Sequence, residues 1–125
     1  MQILLITQEP PLASDAVATG NAIRTAQLEG ALRRVGHTIT QIWLDKHKHT
    51  HQNTFHNRDE LQASITRLQP DAILVSYWEL LDLLPFELQQ PVILDFIAPR
   101  PLEELYEHPQ RVAAELVRLQ AYLTK

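Results

Sequence analysis

The chain has 125 residues, no cysteine and a formal net charge of −4. That length suits a single domain with a proper core, while the missing cysteines exclude disulfides, thiolate zinc sites and a cysteine nucleophile. The acidic balance argues against nucleic acid as a partner, and no apolar run reaches membrane-spanning length or follows a basic leader, so a cytoplasmic location is expected, compatible with peripheral membrane contact.

Ile3-Leu4-Leu5-Ile6 is a continuous apolar run, the pattern of a parallel strand covered on both faces. The following segment, Gln8 to Ala18, carries Pro10-Pro11 and reads as a loop, because proline fixes φ and lacks a donor. Thr19-Gly20-Asn21 then opens a helix predicted over about Ala22 to Val35. Thr19 or Asn21 serves as its cap, Gly20 allows close approach to the backbone, and Gly36 stops the helix. His37 to Leu44 is rich in β-branched residues and is the second predicted strand.

Asp45 to Asn57 is polar, rich in histidine and expected to be a loop. His47, His49 and His51 alternate, with His56 close by, and such a group can hold zinc, nickel or copper. No carboxylate completes an evident ligand set, so a solvated connection is the preferred reading and no metal site is assigned.

Asn57 or Asp59 caps a second helix with Leu61, Ile65 and Leu68 at helical spacing, ending before Pro70. Asp71 to Tyr77 is the third predicted strand, Leu80 to Phe86 a short apolar helix halted at Pro85, and Pro91 to Phe96 the fourth strand. Leu102 to Tyr106 forms a helical turn, and a last helix begins at Pro109 with Val112, Leu116, Leu119 and Leu123 in one stripe. It reaches Lys125 without a cap, so the chain reads as a fragment.

Together these elements predict an α/β fold: a doubly wound, Rossmann-like three-layer sandwich with a four-stranded parallel sheet ordered 2-1-3-4, forming one domain over residues 1–125. In that order the first and third strands are neighbours at the topological switch point. The crevice there has Thr7, Gln8, Gly20 and Asn21 on one side and Ser76, Tyr77, Trp78 and Glu79 on the other. Tyr77 and Trp78 either stack on a ligand ring or cover the sheet end. Asp95, ending the fourth strand, either faces the same mouth or pairs with Arg100. The glycines form neither a G-x-G-x-x-G nor a P-loop pattern.

Ile3 to Thr7, Gly20-Asn21-Ala22-Ile23-Arg24 and the helix end Ala31-Leu32-Arg33-Arg34-Val35-Gly36-His37 before a strand resemble the N-terminus of GT-B-fold glycosyltransferases, in particular the group 1 enzymes related to sucrose-phosphate and mannosyl transferases. Pro70 to Val75 looks like that family's "PD-apolar" strand and Pro91 to Asp95 like the next one. Asp95 to Glu104 is similar to a D-x-x-x-P-x-x-L-E variant. The resemblance implies the acceptor-side N-terminal half of a two-domain enzyme that takes a nucleotide-sugar donor and needs no cofactor. Gly20 and Asn21 would then lie by the donor diphosphate, and Thr7, Gln8, Ser76, Tyr77, Trp78, Glu79 and Asp95 in the acceptor cleft. Two departures stand out: Ser76-Tyr77-Trp78 replaces a histidine often found after this strand, so no catalytic residue is carried over, and the donor-binding half is absent from these residues. This half alone is expected to be inactive. The competing reading is a free-standing flavodoxin-like or receiver-like module for a small ligand or partner.

Overall fold

A computed structural model describes residues 1–13, 19–46, 51–95 and 108–123. At its centre is β1 (Gln2–Thr7), paired in parallel with β2 (Thr38–Leu44) on one side and with β4 (Ala72–Ser76) on the other. Outside β2 lies β3 (Thr54–Phe55), and outside β4 lies β5 (Val92–Asp95), so the sheet order is β3-β2-β1-β4-β5. The expected α/β class and the adjacency of the first and third apolar segments hold. The four-stranded count does not: the sheet has five strands. The extra strand lies inside the expected histidine-rich loop and is two residues long, too short to generate a period-2 signal. Its place comes from pairing with the end of β2, Trp43 opposite Thr54 and Leu44 opposite Phe55, and from burial of the Phe55 ring at 0% exposure.

The pleat sends alternate residues of each strand to opposite faces. Leu4 and Ile6 of β1, Ile42, Phe55, Ile73 and Val75 meet Leu61 and Ile65 of α2 (Arg58–Leu68) on one face. Ile3 and Leu5, with Ile39 and Leu74, meet Leu28 and Leu32 of α1 (Gly20–Arg34) on the other. β1 is thus apolar on both sides because it is covered on both sides.

Local chemistry explains the helix ends. Thr19 caps α1, its Oγ1 accepting from the Ala22 amide at 3.1 Å, so the helix starts two residues before the expected Ala22 and Asn21 is not the cap. At the other end Gly36 has φ 92°, and its N–H and that of His37 donate to the Arg33 and Leu32 carbonyls, the Schellman pattern. Asn57 caps α2 by accepting from the Glu60 amide at 3.0 Å, and Gln69, at φ 45°, ends it before Pro70. The short apolar helix is a 3-10 helix over Trp78–Leu83.

Met1–Asp95 forms one compact unit and Phe96–Lys125 a second. In the second, a 3-10 turn at Pro109–Arg111 leads into α3 (Val112–Leu123), where Leu116 and Val117 are exposed. The expected turn at Leu102 to Tyr106 and the pairing partner Arg100 lie outside the described residues. No helix among the described residues is long and apolar enough to cross a membrane.

Truncating the buried ring in Phe55→Ala should destabilise the chain by about 3–5 kcal/mol, whereas Val35→Ala, at a 71% exposed position, should change it by less than about 0.5 kcal/mol; urea unfolding measures both. His56 supplies a second test. A hydrogen bond from its side chain, helped by one from its backbone N–H at 2.9 Å, holds the Glu60 carboxyl below its ordinary value of 4.5. The folded state therefore favours the ionised form. Relative to Glu60→Gln, wild type should gain stability above pH 4.5 and lose that gain as acid protonates Glu60; paired melts across pH 3–7 read the difference.

Candidate functional site

All five strands are parallel, so their carboxyl ends share one edge of the sheet. Counting two residues on from the α1-facing Ile39, Leu5 and Leu74 reaches Gln41 on β2, Thr7 on β1 and Ser76 on β4. These three and Thr25, which comes from α1 above them, are the buried polar residues among those described, at 8%, 3%, 0% and 6% exposure. The hydrophobic face thus turns polar at the ends of β1 and β4 and at the middle of β2, where Gln41 precedes Trp43. Burying such groups is costly without partners, and they bond to one another. Gln41 Nε2 donates to Thr7 Oγ1 at 3.0 Å and to the Glu9 carbonyl at 3.2 Å, and the Thr7 hydroxyl donates to the same carbonyl at 2.7 Å. The Thr25 and Ser76 hydroxyls lie 3.4 Å apart.

Over this floor runs a crevice lined by Thr7, Gln8, Glu9, Asn21, Ala22, Thr25, Gln41 and Tyr77, with Pro10 to Leu12, Ala26 and Glu29 completing its walls. Its free space is about 10 Å³, room for about one oxygen-sized group. The α1 N-terminus opens on it, with no acidic residue in the first turn, so the Gly20 and Asn21 amides, which have no intrahelical acceptor, present the positive end of the helix. Thr19 ties this end to the first loop by donating to Glu9 Oε2 at 2.5 Å. On the far wall Tyr77 has φ 98° and ψ 114°, a sparsely populated conformation for a residue with a side chain.

The residues expected at this mouth are divided. Thr7, Gln8, Asn21 and Tyr77 line the crevice and Ser76 lies beneath it. Gln8 Nε2 also donates to Glu79 Oε2 at 3.2 Å, bridging β1 to the 3-10 helix. Trp78 is 2% exposed and therefore covers the sheet end rather than offering a stacking surface. Gly20 is exposed, and a Cβ placed on it would meet nothing within 4 Å. Asp95 does not line the crevice: its carboxylate accepts from Arg24 Nη2 at 2.7 Å and from Nε at 3.2 Å, beside a separate hollow with Gln27 and Leu28. The hydrogen bonds and charge of Asp95 raise the Arg24 pKa, keeping it cationic.

Sequence reading missed Thr25, Gln41 and Trp43. Two of them carried a signal, Thr25 as a polar residue in register with Leu28 and Leu32, and Gln41 as a polar interruption between Ile39 and Trp43 on one strand face. Trp43 belongs to a second, open hollow of about 510 Å³ at the ends of β2 and β3, with Glu9, Asp45, Lys46 and His51. There the His51 ring lies against the indole, centroids 5.3 Å apart. Of the histidine cluster, His47 and His49 lie outside the described residues, while His56 Nδ1 sits 2.7 Å from Glu60. Among the described residues no three His, Cys, Asp or Glu side chains are grouped to hold a metal.

Thr19→Ala should cost about 1 kcal/mol by removing the α1 cap, while Thr19→Ser should restore most of it; chemical denaturation compares the two. Comparisons with protein-family models, with curated proteins and with solved structures returned no match to this chain.

Proposed function

We propose that the chain is the acceptor-side, Rossmann-like N-terminal domain of a nucleotide-sugar-dependent glycosyltransferase of the GT-B kind. One observation carries the reading: the buried polar residues Thr7, Thr25, Gln41 and Ser76 collect under the α1 N-terminus, beside the β1–β4 pair where the chain reverses direction across the sheet. Open α/β sheets bind ligands at that reversal, and a helix N-terminus with no acidic residue in its own first turn suits a diphosphate. The sequence likeness around Gly20, Gly36 and Pro70 supports the same assignment.

In this reading the Asn21 and Gly20 amides stabilise charge on the leaving diphosphate, and Thr7, Gln8 and Tyr77 orient the acceptor. The donor nucleotide is held by a second domain that closes over the cleft. A crevice with room for about one oxygen-sized group supports the companion expectation that this half does not turn over by itself.

A free-standing small-ligand module is the alternative. Incubation of the 125 residues with UDP-glucose and sugar acceptors should yield no transfer product. Saturation-transfer NMR should still detect weak nucleotide-sugar binding, with Asn21 and Tyr77 shifting in ¹⁵N spectra. Transfer by this chain alone would overturn the half-site reading, and nucleotide sugars that leave Asn21 and Tyr77 unmoved would favour the module.

A further inference from the structure

The open hollow of about 510 Å³ at the ends of β2 and β3 falls within the range of small-molecule pockets, about 300–1,000 Å³, and takes no part in the function proposed above. Its frame is the β2–β3 pair. The Trp43 amide donates to the Asn53 carbonyl and the Asp45 amide to the Phe55 carbonyl, both at 3.0 Å, so the two-residue strand fixes Trp43 and Asp45 on one face of the ladder. His51 is pinned by the same strand, its N–H donating to Thr54 Oγ1 at 3.1 Å and its carbonyl accepting from that hydroxyl at 2.7 Å. Side chains held this way are placed more precisely than those on a free loop.

The lining selects the ligand. Trp43 is half-buried and supplies an aromatic surface. The Asn53 amide donates to His51 Nδ1 at 3.3 Å, which in the neutral ring puts the proton on Nε2. His51 Nε2, the indole N–H and the exposed Lys46 are thus donors, while the half-buried Glu9 and Asp45 bring acceptors. Two carboxylates disfavour an anion, and the lysine disfavours a cation. A neutral ligand whose hydroxyls both donate and accept uses both sets, and one with an apolar face also uses the indole. A pyranose ring has both features. We propose that this hollow is a saccharide site, in which a neutral pyranose lays a C–H face on the Trp43 indole and bonds through its hydroxyls to Asp45 and Lys46. The hollow adjoins the crevice, sharing Gln8, Glu9 and Pro10 with it, but the inference goes beyond the function proposed above and does not require it.

The chain has 2 tryptophans, and Trp78 is 2% exposed, so the two indole signals in ¹⁵N spectra separate this site from the core. The test titrates the methyl pyranosides of glucose, galactose, mannose and N-acetylglucosamine into the full chain, with choline as a cationic and inorganic phosphate as an anionic control. At least one pyranoside should shift the Trp43 indole and leave Trp78 unmoved, and neither control should do so. Trp43→Ala should weaken that pyranoside by at least about tenfold, Trp43→Phe should keep most of the affinity, and Asp45→Asn should lower it by about fivefold. A Trp43 indole silent to every pyranoside, a stronger response to choline or phosphate, or binding that survives Trp43→Ala would each overturn the proposal. Should Trp43→Ala fail to fold, the wild-type shifts with Trp43→Phe and Asp45→Asn decide. Pyranoside binding at Trp43 while Asn21 and Tyr77 ignore nucleotide sugars removes only the transferase reading. A nucleotide-sugar response at Asn21 and Tyr77 with Trp43 silent to every pyranoside overturns this proposal alone.

Discussion

Two-sided burial of β1 is the constraint on which the rest of this molecule depends. Its Leu4, Leu5 and Ile6 are at most 1% exposed, with even positions against the α2 layer and odd positions against α1. A strand in that position pairs along both edges, here with β2 and β4, and its parallel neighbours bring all their carboxyl ends to one side. β4 is buried along its whole length, while at the outer strand β5 Val92 and Ile93 are 40% and 53% exposed.

The same geometry makes the polar crevice. On the α1 face, apolar residues run along β1 and β4 until their last positions, Thr7 and Ser76, while Gln41 interrupts β2 at its middle, all beneath Thr25. Those side chains largely satisfy one another, which offsets the cost of burying them, and the Glu9 carbonyl and Glu9 carboxylate tie the first loop to both the floor and the α1 cap. The strained Tyr77 backbone closes the opposite wall. Strain and a buried polar cluster thus meet at one edge of the sheet.

Much of this was legible in the chain. Ile3 to Ile6, Asp71 to Ser76 and Pro91 to Asp95 are apolar runs with turn residues around them, and the Gly36 and Asn57 signals worked as local chemistry says they should. Thr7, Gln8, Asn21 and Tyr77 were placed at the mouth by counting to strand and helix ends. The failures share a cause. Phe55 joins the core through a two-residue strand paired, among the described residues, with β2 alone, and Asp95 meets Arg24, 71 residues away. Trp78 stayed open between stacking on a ligand and covering the sheet end, because composition does not tell which way a ring turns after a positive-φ residue.

Periodicity and capping along the 125 residues were therefore enough for the α/β class and for the limits of α1 and α2 within two residues, since these depend on residues near one another in the chain, and the adjacency at the centre of the sheet followed from the general order of doubly wound sheets. Folding in three dimensions alone assigned the fifth strand, the burial of Trp78, the Arg24–Asp95 pair and the gathering of Thr25 and Gln41 into one floor. Those features are contacts between segments far apart in sequence, and they are settled by which groups are left to share a buried space once the strands have paired.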